Sequence, residues 1–329
     1  MGERVRWGIL ATGGIAANFT DDLLKHGHVV GAVGSRRLES AQDFAEKHGI
    51  ARAHGSYEAL CADPEIDAIY VATPHPMHAE NAKLALSNGK HVLVEKSFTV
   101  NAREAQEVAD LAAKRGLVAM EAMWTRYLPH MVRIREILAE GLLGEVRSVV
   151  AEHLQDLPDD PAHRLNDLKL GGGALLDLGI YPISFTFDVL GAPKTIAAVA
   201  RMHEATGADR TLATLFTYEN GAIAQTISAS DTAGRNIAAI HGTDGRIEID
   251  KTWYAPTSFR RYLGKDELVE TYESQVTGRG MQYQAAELER LVAAGEIANG
   301  ILPPAQSVAI MACLDEIRRQ IGLSYPGEH

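Results

Sequence analysis

Apolar and polar positions follow two different rhythms along this chain, and the change between them falls near residue 122. Before it, short apolar runs are separated by stretches with helical spacing. Such alternation is typical of βαβ units around a parallel sheet. The predicted strands are Val5–Leu10, Val29–Gly34, Ala68–Ala72, His91–Glu95 and Leu117–Glu121, and the predicted helices are Ile15–Gly27, Leu38–His48, Pro76–Asn88 and Ala102–Arg115.

The second part of the chain has the pattern of an α+β domain with a mostly antiparallel sheet. The dipeptide Asn220-Gly221 separates two apolar runs, and Asn-Gly is a strong hairpin signal. We therefore predict an α/β domain over residues 1–122 and an α+β domain over residues 123–329. The elements predicted in the second domain are the helices His130–Glu140, Ala174–Leu190, Tyr283–Ala294 and Pro304–Gln320 and the strands Glu145–His153, Thr211–Tyr218, Ala222–Ser228, Ile237–His241 and Arg246–Asp250.

Composition narrows the class of protein. The chain has 329 residues and is 46% hydrophobic and 23% charged, as in ordinary globular proteins. Its net charge is −11, with 32 basic and 43 acidic residues and no basic cluster, so we expect no nucleic-acid or membrane partner. Cys61 and Cys313 lack metal-ligand spacing and are predicted to be buried. The N-terminus enters a strand without a signal peptide, and we see no apolar run of about 18 residues, which predicts a cytoplasmic location.

The segment between the first predicted strand and helix has the position of a phosphate-binding turn. It reads A-T-G-G-I-A, and backbone N–H groups at such a helix N-terminus receive the pyrophosphate in Rossmann dinucleotide sites. It departs from G-x-G-x-x-G because Ala11 and Ala16 stand at the first and third glycine positions. The alternative is a small-residue turn in an α/β fold that binds another ligand. The predicted cofactor-binding residues of this turn are Thr12, Gly13, Gly14 and Ile15.

The second predicted strand ends in the sequence G-S-R-R. Enzymes specific for NAD usually carry an acidic residue here, which binds the ribose hydroxyls, whereas arginine suits the additional phosphate of NADP. Arginine beside a helix N-terminus is unfavourable without an anion, which favours the phosphate interpretation over a solvated arginine pair. We therefore predict NADP as the preferred cofactor, with NAD as the alternative, bound through Ser35 and Arg36.

Two further strand ends place polar groups at the same edge of the predicted sheet. The sequence T-P-H-P-M-H follows one strand and Lys96 follows the next. Ligands of open α/β sheets lie at the carboxyl ends of the strands, so both segments are predicted to line the cofactor groove. A lysine there can lower the pKa of a phenol or stabilise a developing alkoxide; the alternative is a surface lysine. The predicted cofactor-binding residues are Thr73, Pro74, His78, Glu95 and Lys96.

A second candidate for acid–base chemistry lies in the sequence G-G-G-A-L-L-D-L-G-I-Y-P. Its Asp177 and Tyr181 are spaced to share one face of a helix. A phenol with a pKa of about 10 is a weak base at neutral pH, so the ammonium of Lys96 would have to favour the phenolate. Asp177 would bind a substrate hydroxyl or orient Lys96. The alternative is that Tyr181 is a core residue and Asp177 a surface acid.

Six segments distributed over essentially the whole chain occur together: W-G-I-L-A-T-G-G-I-A, V-G-S-R, A-T-P-H-P-M-H, G-K-H-V-L-V-E-K-S, M-E-A-M-W-T-R-Y-L-P and G-G-G-A-L-L-D-L-G-I-Y-P. In combination they resemble the glucose–fructose oxidoreductase, inositol dehydrogenase and rhizopine-catabolism (Gfo/Idh/MocA) family of NAD(P)-dependent oxidoreductases. E-A-M-W-T-R and D-L-G-I-Y are most similar to its branch of dimeric dihydrodiol dehydrogenases and D-xylose dehydrogenases, which uses NADP.

The resemblance implies a Rossmann domain joined to a domain with a large antiparallel sheet, with the active site between them and the open face of the sheet as a dimer interface. Lys96 matches the lysine of the family's E-K-P motif, with Ser97 in place of the proline. Tyr181 matches the proposed proton donor or acceptor, and Asp177 its accompanying aspartate. The substrate contacts implied by the resemblance are Trp124, Arg126, His163 and Arg164.

We therefore predict an NADP-preferring dehydrogenase or reductase with Lys96, Tyr181 and Asp177 as catalytic residues and without a metal. It would transfer hydride between nicotinamide and a secondary alcohol or carbonyl of a sugar, polyol or cyclic trans-diol, as a homodimer formed through the antiparallel sheet. Two alternatives stay open: a redox-neutral sugar-modifying enzyme with a tightly bound nucleotide, and a non-catalytic dinucleotide or sugar sensor.

Overall fold

The computed structural model describes residues 4–297 and 299–328. The chain forms two compact units that are each discontinuous in sequence. The first comprises the residues up to Trp124 together with Gly278–Met311, and the second comprises Thr125–Thr277 and the residues after Met311. The predicted division between residues 122 and 123 treats each domain as one continuous segment and stays a prediction. No hydrophobic pattern indicates that Gly278–Met311 groups with the N-terminal unit.

The first unit contains a six-stranded parallel sheet, as the alternation of strands and helices predicts. In chain order its strands are β1 Arg6–Leu10, β2 Val29–Gly34, β3 Arg52–His54, β4 Ala68–Val71, β5 His91–Glu95 and β6 Ala119–Ala122. In space they follow the order β3-β2-β1-β4-β5-β6. The order therefore reverses between β1 and β4, and ligands of open α/β sheets bind beyond the carboxyl ends of the strands at such a point.

Helices connect these strands, and their ends follow local capping rules. Asn101 accepts a hydrogen bond from the backbone N–H of Glu104 at 2.9 Å, which satisfies one of the N–H groups left open at the start of a helix. Gly116 ends the same helix in a left-handed conformation. The connecting helices are α1 Gly14–Lys25, α2 Leu38–His48, α3 Tyr57–Cys61, α4 His78–Ser87 and α5 Ala102–Arg115.

The second unit contains an eight-stranded sheet that is antiparallel except for one pair, which confirms the predicted fold class. Its strands are β7 Val146–Leu154, β8 Thr195–Met202, β9 Asp209–Thr217, β10 Ile223–Ala229, β11 Ala238–Gly242, β12 Gly245–Ile249, β13 Phe259–Leu263 and β14 Glu267–Tyr272. In space they follow the order β14-β13-β12-β11-β7-β10-β9-β8. The predicted hairpin at Asn220-Gly221 joins β9 to β10, with Thr217 opposite Ile223.

Four further α-helices lie in the described residues after the first six strands. They are α6 Pro129–Ala139, α7 Ile180–Leu190, α8 Gln282–Ala294 and α9 Pro304–Ile321. In the described part of the chain, the segment Leu168–Leu190 is long and apolar enough to cross a membrane, but 78% of its apolar window is buried inside the fold. Core helices meet the same criteria, so this is weak evidence for a membrane span. Cys61 and Cys313 are free and buried, as predicted.

The eight-stranded sheet has two different faces. One face packs against α7, which contacts both β7 and β10. On the other face, alternate residues of β8, β9 and β10 point outward, and the apolar side chains among them are exposed. Val199 is 70% exposed and Leu215 46% exposed, with Ile223 and Ile227 on the neighbouring strand. We call the face formed by Val199, Leu215, Ile223 and Ile227 the open face.

Candidate active site

The predicted phosphate turn lies between β1 and α1. Ala11 donates its backbone N–H to the carbonyl of Gly34 at 2.9 Å and has a φ of 92°, in the left-handed region that favours glycine. Ala11 therefore makes the turn that the first glycine of the fingerprint usually makes. Cβ atoms built on Gly13 and Gly14 would meet nothing within 4 Å, so a ligand can approach the N-terminus of α1 closely. The first N–H groups of a helix have no intrahelical partners, and they suit a pyrophosphate.

The two arginines after β2 have different neighbours. Arg36 is exposed and hydrogen-bonds to the phenol of Tyr57 in α3. Burial raises the pKa of Tyr57, and the charge and hydrogen bond of Arg36 oppose this effect. Arg37 instead donates to the hydroxyl of Ser40 in α2 at 2.8 Å. Ser35 donates its backbone N–H to His54 at 3.1 Å, which ties the end of β2 to β3. Of the two arginines, Arg36 is therefore the one held beside the carboxyl ends of the strands.

His78 links the segments that follow β4 and β5. Its Nδ1 lies 2.8 Å from the carbonyl oxygen of Ser97, and its Nε2 lies 2.7 Å from that of Thr73. Burial lowers the pKa of His78, and the positive charge of Lys96 lowers it further, while the two carbonyl contacts oppose this shift. Pro74 is exposed beside this clamp. The structure therefore gives His78 a structural role, and its contact with a cofactor stays a prediction.

Lys96 is held by its main chain at the carboxyl end of β5. Its backbone N–H donates to Oε2 of Glu95 at 3.2 Å, and its carbonyl oxygen lies 3.2 Å from Nε2 of His75. The buried Glu95 carboxylate also accepts a hydrogen bond from the hydroxyl of Tyr70. The Lys96–Ser97 peptide bond is cis, although Ser97 replaces the proline of the family motif. These contacts fix the point from which the half-buried Lys96 side chain extends.

The predicted helix with Asp177 and Tyr181 has an irregular start. Leu175–Gly179 forms a π-turn, a feature often found at functional sites, and the chain then continues into α7. Asp177 lies in the π-turn and Tyr181 in the first turn of α7. The glycines before the helix allow close packing of the backbone: a Cβ on Gly172 would lie 2.8 Å from the carbonyl oxygens of Asp167 and Leu165.

Tyr181 is buried among aromatic side chains. Its ring centroid lies 5.0 Å from that of His153 and 5.3 Å from that of Tyr254, and these two rings stack at 3.8 Å. The amide of Gln155 contacts both neighbours, His153 at 2.7 Å and the Tyr254 hydroxyl at 3.5 Å. Burial raises the pKa of Tyr254 to about 12, and the negative form of Tyr181 adds to this rise. The surroundings of Tyr181 are thus both polar and aromatic.

His153 and Tyr254, which pack beside Tyr181, were not predicted as site residues from the sequence. A signal exists for His153, because the inward positions of β7 are Val149, Ala151 and His153. A histidine where the alternation demands an apolar side chain marks a polar group facing the interior of the unit. No such signal exists for Tyr254, which lies in a loop and reaches its position through the fold alone.

Asp177 forms an ion pair with one of the predicted substrate contacts. Arg164 Nη1 lies 3.5 Å from Asp177 Oδ1; the Arg164 side chain is 59% exposed and that of Asp177 13% exposed. His163, its neighbour, accepts a hydrogen bond from the backbone N–H of Leu165 through Nδ1 at 3.4 Å. The structure therefore brings Arg164 and Asp177 together within the second unit. Substrate binding by His163 and Arg164 stays a prediction.

Arg126, also predicted as a substrate contact, is occupied by structural partners. Its guanidinium forms an ion pair with Asp188 at 2.8 Å and donates to the hydroxyl and carbonyl oxygens of Ser184 at 3.0 and 2.7 Å. Arg135 binds the other oxygen of Asp188 at 2.9 Å. These contacts hold α7 from the side, and substrate binding by Arg126 stays a prediction. Trp124 is buried and is the last residue of the first of the two segments that form the first unit; substrate binding by Trp124 stays a prediction.

The predicted site residues fall into two groups, one in each unit. The turn at Gly13, the arginine Arg36, the clamp around His78 and the strand-end Lys96 belong to the first unit, whereas Asp177 and Tyr181 belong to the second. Among residues 4–297 and 299–328, no group of three or more His, Cys, Asp or Glu side chains is arranged to hold a metal ion. Within the first unit the turn at Gly13 suits a dinucleotide, and within the second unit the phenol of Tyr181 is a group that can exchange a proton with a hydroxyl.

Comparison with known proteins identifies the class of protein. Residues 5–123 match the oxidoreductase family with an NAD-binding Rossmann fold, and residues 131–248 match the GFO/IDH/MocA C-terminal domain. The chain belongs to the GFO/IDH/MocA family of oxidoreductases. The resemblance of its sequence motifs to this family is thereby confirmed.

Individual relatives cover the whole chain. Trans-1,2-dihydrobenzene-1,2-diol dehydrogenase of Mus musculus is 38% identical over 98% of both chains. D-xylose 1-dehydrogenase (NADP(+)) of Hypocrea jecorina is 34% identical over 98% of this chain and 93% of its own length. Among solved structures, the 3-ketoreductase KijD10 of Actinomadura kijaniata, in complex with NADP and TDP-benzene, has a TM-score of 0.85 and 27% identity over 97% of this chain and 98% of its own.

Proposed function

We propose that this protein is an NADP-dependent dehydrogenase or reductase that acts on a secondary alcohol or carbonyl of a sugar, polyol or cyclic trans-diol. The observation that carries the proposal is the placement of Tyr181, a phenol in the first turn of a helix that begins with a π-turn, beside the rings of His153 and Tyr254. A phenol enclosed in this way is suited to exchange a proton with a substrate hydroxyl while bulk water is kept away.

The roles of the catalytic residues follow from their chemistry. When bound, NADP supplies the hydride acceptor or donor. Tyr181 takes the proton of the substrate hydroxyl in oxidation and returns a proton to the carbonyl oxygen in reduction. Lys96 is proposed to favour the phenolate, because a positive charge lowers the pKa of an acid. Asp177 accepts a hydrogen bond from a second substrate hydroxyl.

The described residues fit the cofactor. The open backbone at Gly13 and Gly14 leaves room for a pyrophosphate at the N-terminus of α1. Arg36, exposed at the end of β2, suits the additional phosphate of NADP. The names of the relatives agree with this assignment, since the Hypocrea jecorina enzyme is a D-xylose 1-dehydrogenase (NADP(+)) and KijD10 was solved with NADP.

The replacement Arg36→Ala is expected to raise KM for NADP⁺ by about 10- to 100-fold, because it removes charged hydrogen bonds to a phosphate. KM for NAD⁺, which lacks that phosphate, is expected to change by less than about 2-fold. Steady-state kinetics with both cofactors measure the effect. Arg37→Ala is the matched control, since Arg37 is the adjacent arginine and contacts Ser40. Equal effects of Arg36→Ala on both cofactors would contradict the phosphate assignment.

The open face is proposed as the interface of a homodimer. Val199 lies opposite Ala213, which lies opposite Ile227, so these apolar side chains form one row across three strands. The outer edge of β8 is already satisfied in part by Gln320, which donates to the carbonyl of Ile196 and accepts from the N–H of Ala198, both at 2.9 Å. Association through the face, rather than by strand addition at this edge, therefore suits the surface.

Val199→Asp is expected to convert the dimer to a monomer, because it buries an unpaired charge in the interface and weakens association at least about 30-fold. Size-exclusion chromatography with light scattering at about 10 µM measures the state. Val132→Asp provides the control, because Val132 is an exposed valine of α6 outside the sheet. A monomeric unmutated protein, or a Val199→Asp variant that stays dimeric, would contradict the proposed interface.

Reduction of NADP⁺ across a panel of aldoses, inositols, anhydrosugars and cyclic trans-diols tests the function, with NAD⁺ in parallel. We expect turnover with one structural class of hydroxyl compound and a preference for NADP⁺. Turnover with NAD⁺ alone would remove the role of Arg36 and leave that of Tyr181. Tightly bound nucleotide without net reduction would support the redox-neutral or sensor alternative instead.

A further inference from the structure

Asp209, the first residue of β9, holds the start of the helix that carries Asp177 and Tyr181. Its Oδ2 accepts a hydrogen bond from the backbone N–H of Leu175 at 2.6 Å. Leu175 opens the π-turn that contains Asp177 and leads directly into Tyr181. The Asp209 side chain therefore accepts a hydrogen bond from a backbone N–H at the start of the helix, as an N-cap residue does, although it belongs to a strand distant in sequence.

The chain before the helix is shaped to admit this carboxyl group. Gly173 has a φ of 130°, a conformation that other residues rarely adopt. A Cβ atom on Gly173 would lie only 2.1 Å from Asp209 Oδ1. The carboxyl group thus occupies the space that a side chain at Gly173 would need, and the glycine and the aspartate depend on each other.

Asp209 is fully enclosed within the second unit. Burial raises its pKa to about 7, and the hydrogen bond from Leu175 opposes this rise. Tyr325, near the C-terminus, is also buried, and burial together with the negative charge of Asp209 raises its pKa well above the usual value. A buried carboxyl group is costly unless its contacts compensate. The contact with Leu175 is the one that fixes backbone at the proposed catalytic residues.

We propose that Asp209 is a positioning residue for the reaction: it fixes the first turn of this helix and thereby sets where Tyr181 and Asp177 meet the substrate. The proposal rests on the proposed function of Tyr181. Small displacements of an acid–base group, of about 1 Å, can lower a rate by about 100-fold even when the protein remains folded. A capping contact that served only the stability of the fold would leave kcat unchanged.

Kinetics of Asp209→Asn, Asp209→Ser and Asp209→Ala on the best substrate of the panel test this proposal. The asparagine oxygen can still accept from Leu175, so kcat is expected within about 5-fold of the unmutated enzyme. The shorter serine and alanine lose the contact, and kcat is expected to fall by about 10- to 100-fold. KM for NADP⁺ should stay within about 2-fold, because the cofactor residues lie in the first unit. Amide hydrogen exchange should show that the backbone N–H of Leu175 stays protected in the Asp209→Asn variant and loses its protection in the Asp209→Ala variant.

Thr214→Val is the matched control. Thr214 is a buried polar residue of the same strand, and its hydroxyl contacts Thr226 at 2.6 Å, so the variant also loses a buried hydrogen bond while kcat should not change. If the Asp209→Ala variant fails to fold, the comparison of kcat between Asp209→Asn and Asp209→Ser tests the positioning role. Equal kcat values in these two variants, or an Asp209→Ala variant with the kcat of the unmutated enzyme, would overturn the role of Asp209. Tyr181→Phe is measured beside them: full turnover in that variant rejects the proposed function itself, and a low rate there with normal Asp209→Ala turnover rejects only the positioning role.

Discussion

The Tyr181→Phe variant is expected to lose about 10²- to 10⁴-fold in kcat while its affinity for NADP⁺ stays unchanged. The substitution removes only the hydroxyl group that is proposed to exchange the proton, and it keeps the ring that packs beside His153 and Tyr254. The rate is measured with the best substrate of the panel, and cofactor affinity by titration of NADPH fluorescence. Loss of rate without loss of binding is the signature of an interaction made in the transition state.

Tyr254→Phe is the control for this experiment. Tyr254 carries the neighbouring phenol, and its ring stacks on His153 at 3.8 Å, so the variant also removes one hydroxyl from the same cluster. Burial raises the pKa of Tyr254 to about 12, and the negative form of Tyr181 adds to this rise, so little Tyr254 phenolate is present at neutral pH. Its kcat is expected within about 10-fold of the unmutated enzyme. A larger loss of kcat in Tyr254→Phe than in Tyr181→Phe would show that Tyr254, and not Tyr181, exchanges the proton.

The Asp188→Asn variant is expected to lose about 3–5 kcal/mol of the free energy of unfolding. Asp188 neutralises Arg126 and Arg135, with N–O distances of 2.8 and 2.9 Å, and the Arg126 and Asp188 side chains are only 2% and 5% exposed. Removing one partner of a buried ion pair leaves charge without compensation in an environment of low polarity. Urea-induced unfolding followed by circular dichroism measures the change.

Glu219→Gln is the control for Asp188→Asn, because its ion pair with Lys194 is largely exposed and is expected to contribute less than about 1 kcal/mol. The double replacement of Arg126 by Met and Asp188 by Leu should recover part of the loss, since an apolar pair of similar volume avoids the cost of burying charge. A loss below about 1 kcal/mol in Asp188→Asn would contradict the structural role of the buried ion pair with Arg126.

The strands and helices of both units were predictable where apolar residues recur with a clear period. Five of the six strands of the parallel sheet are buried apolar runs, and periodicity finds such runs. The missed β3 has only three residues, all half-buried. Three strands of the second sheet were also missed. The strand β8 lies at one end of the sheet and has no buried residue, and β13 and β14 lie at the other end, where charged side chains interrupt the alternation. These strands, at or next to the edges of their sheets, are specified by pairing with a neighbour rather than by their own pattern.

The candidate site was predictable only as far as its residues stand next to recognisable elements. Lys96 follows a buried strand and Gly13 precedes a helix, and both positions can be read locally. The π-turn at Leu175 depends on Asp209, which is 34 residues away in sequence. The proximity of His153 and Tyr254 likewise depends on tertiary packing. The alternation in β7 marks His153 as an inward-facing polar residue, but local patterns contain no information about its contacts, so its proximity to Tyr181 and Tyr254 could not be derived from the sequence.

The most direct test of the proposed hydride transfer traces the transferred hydrogen with a deuterium label. A substrate from the panel is labelled with deuterium at the carbon that bears the reacting hydroxyl, and the reduced cofactor is analysed by mass spectrometry. The proposed hydride transfer predicts NADPH that is heavier by one mass unit and carries deuterium at one face of the nicotinamide C4. Reduced cofactor without deuterium, or converted substrate without any reduced cofactor, would contradict it.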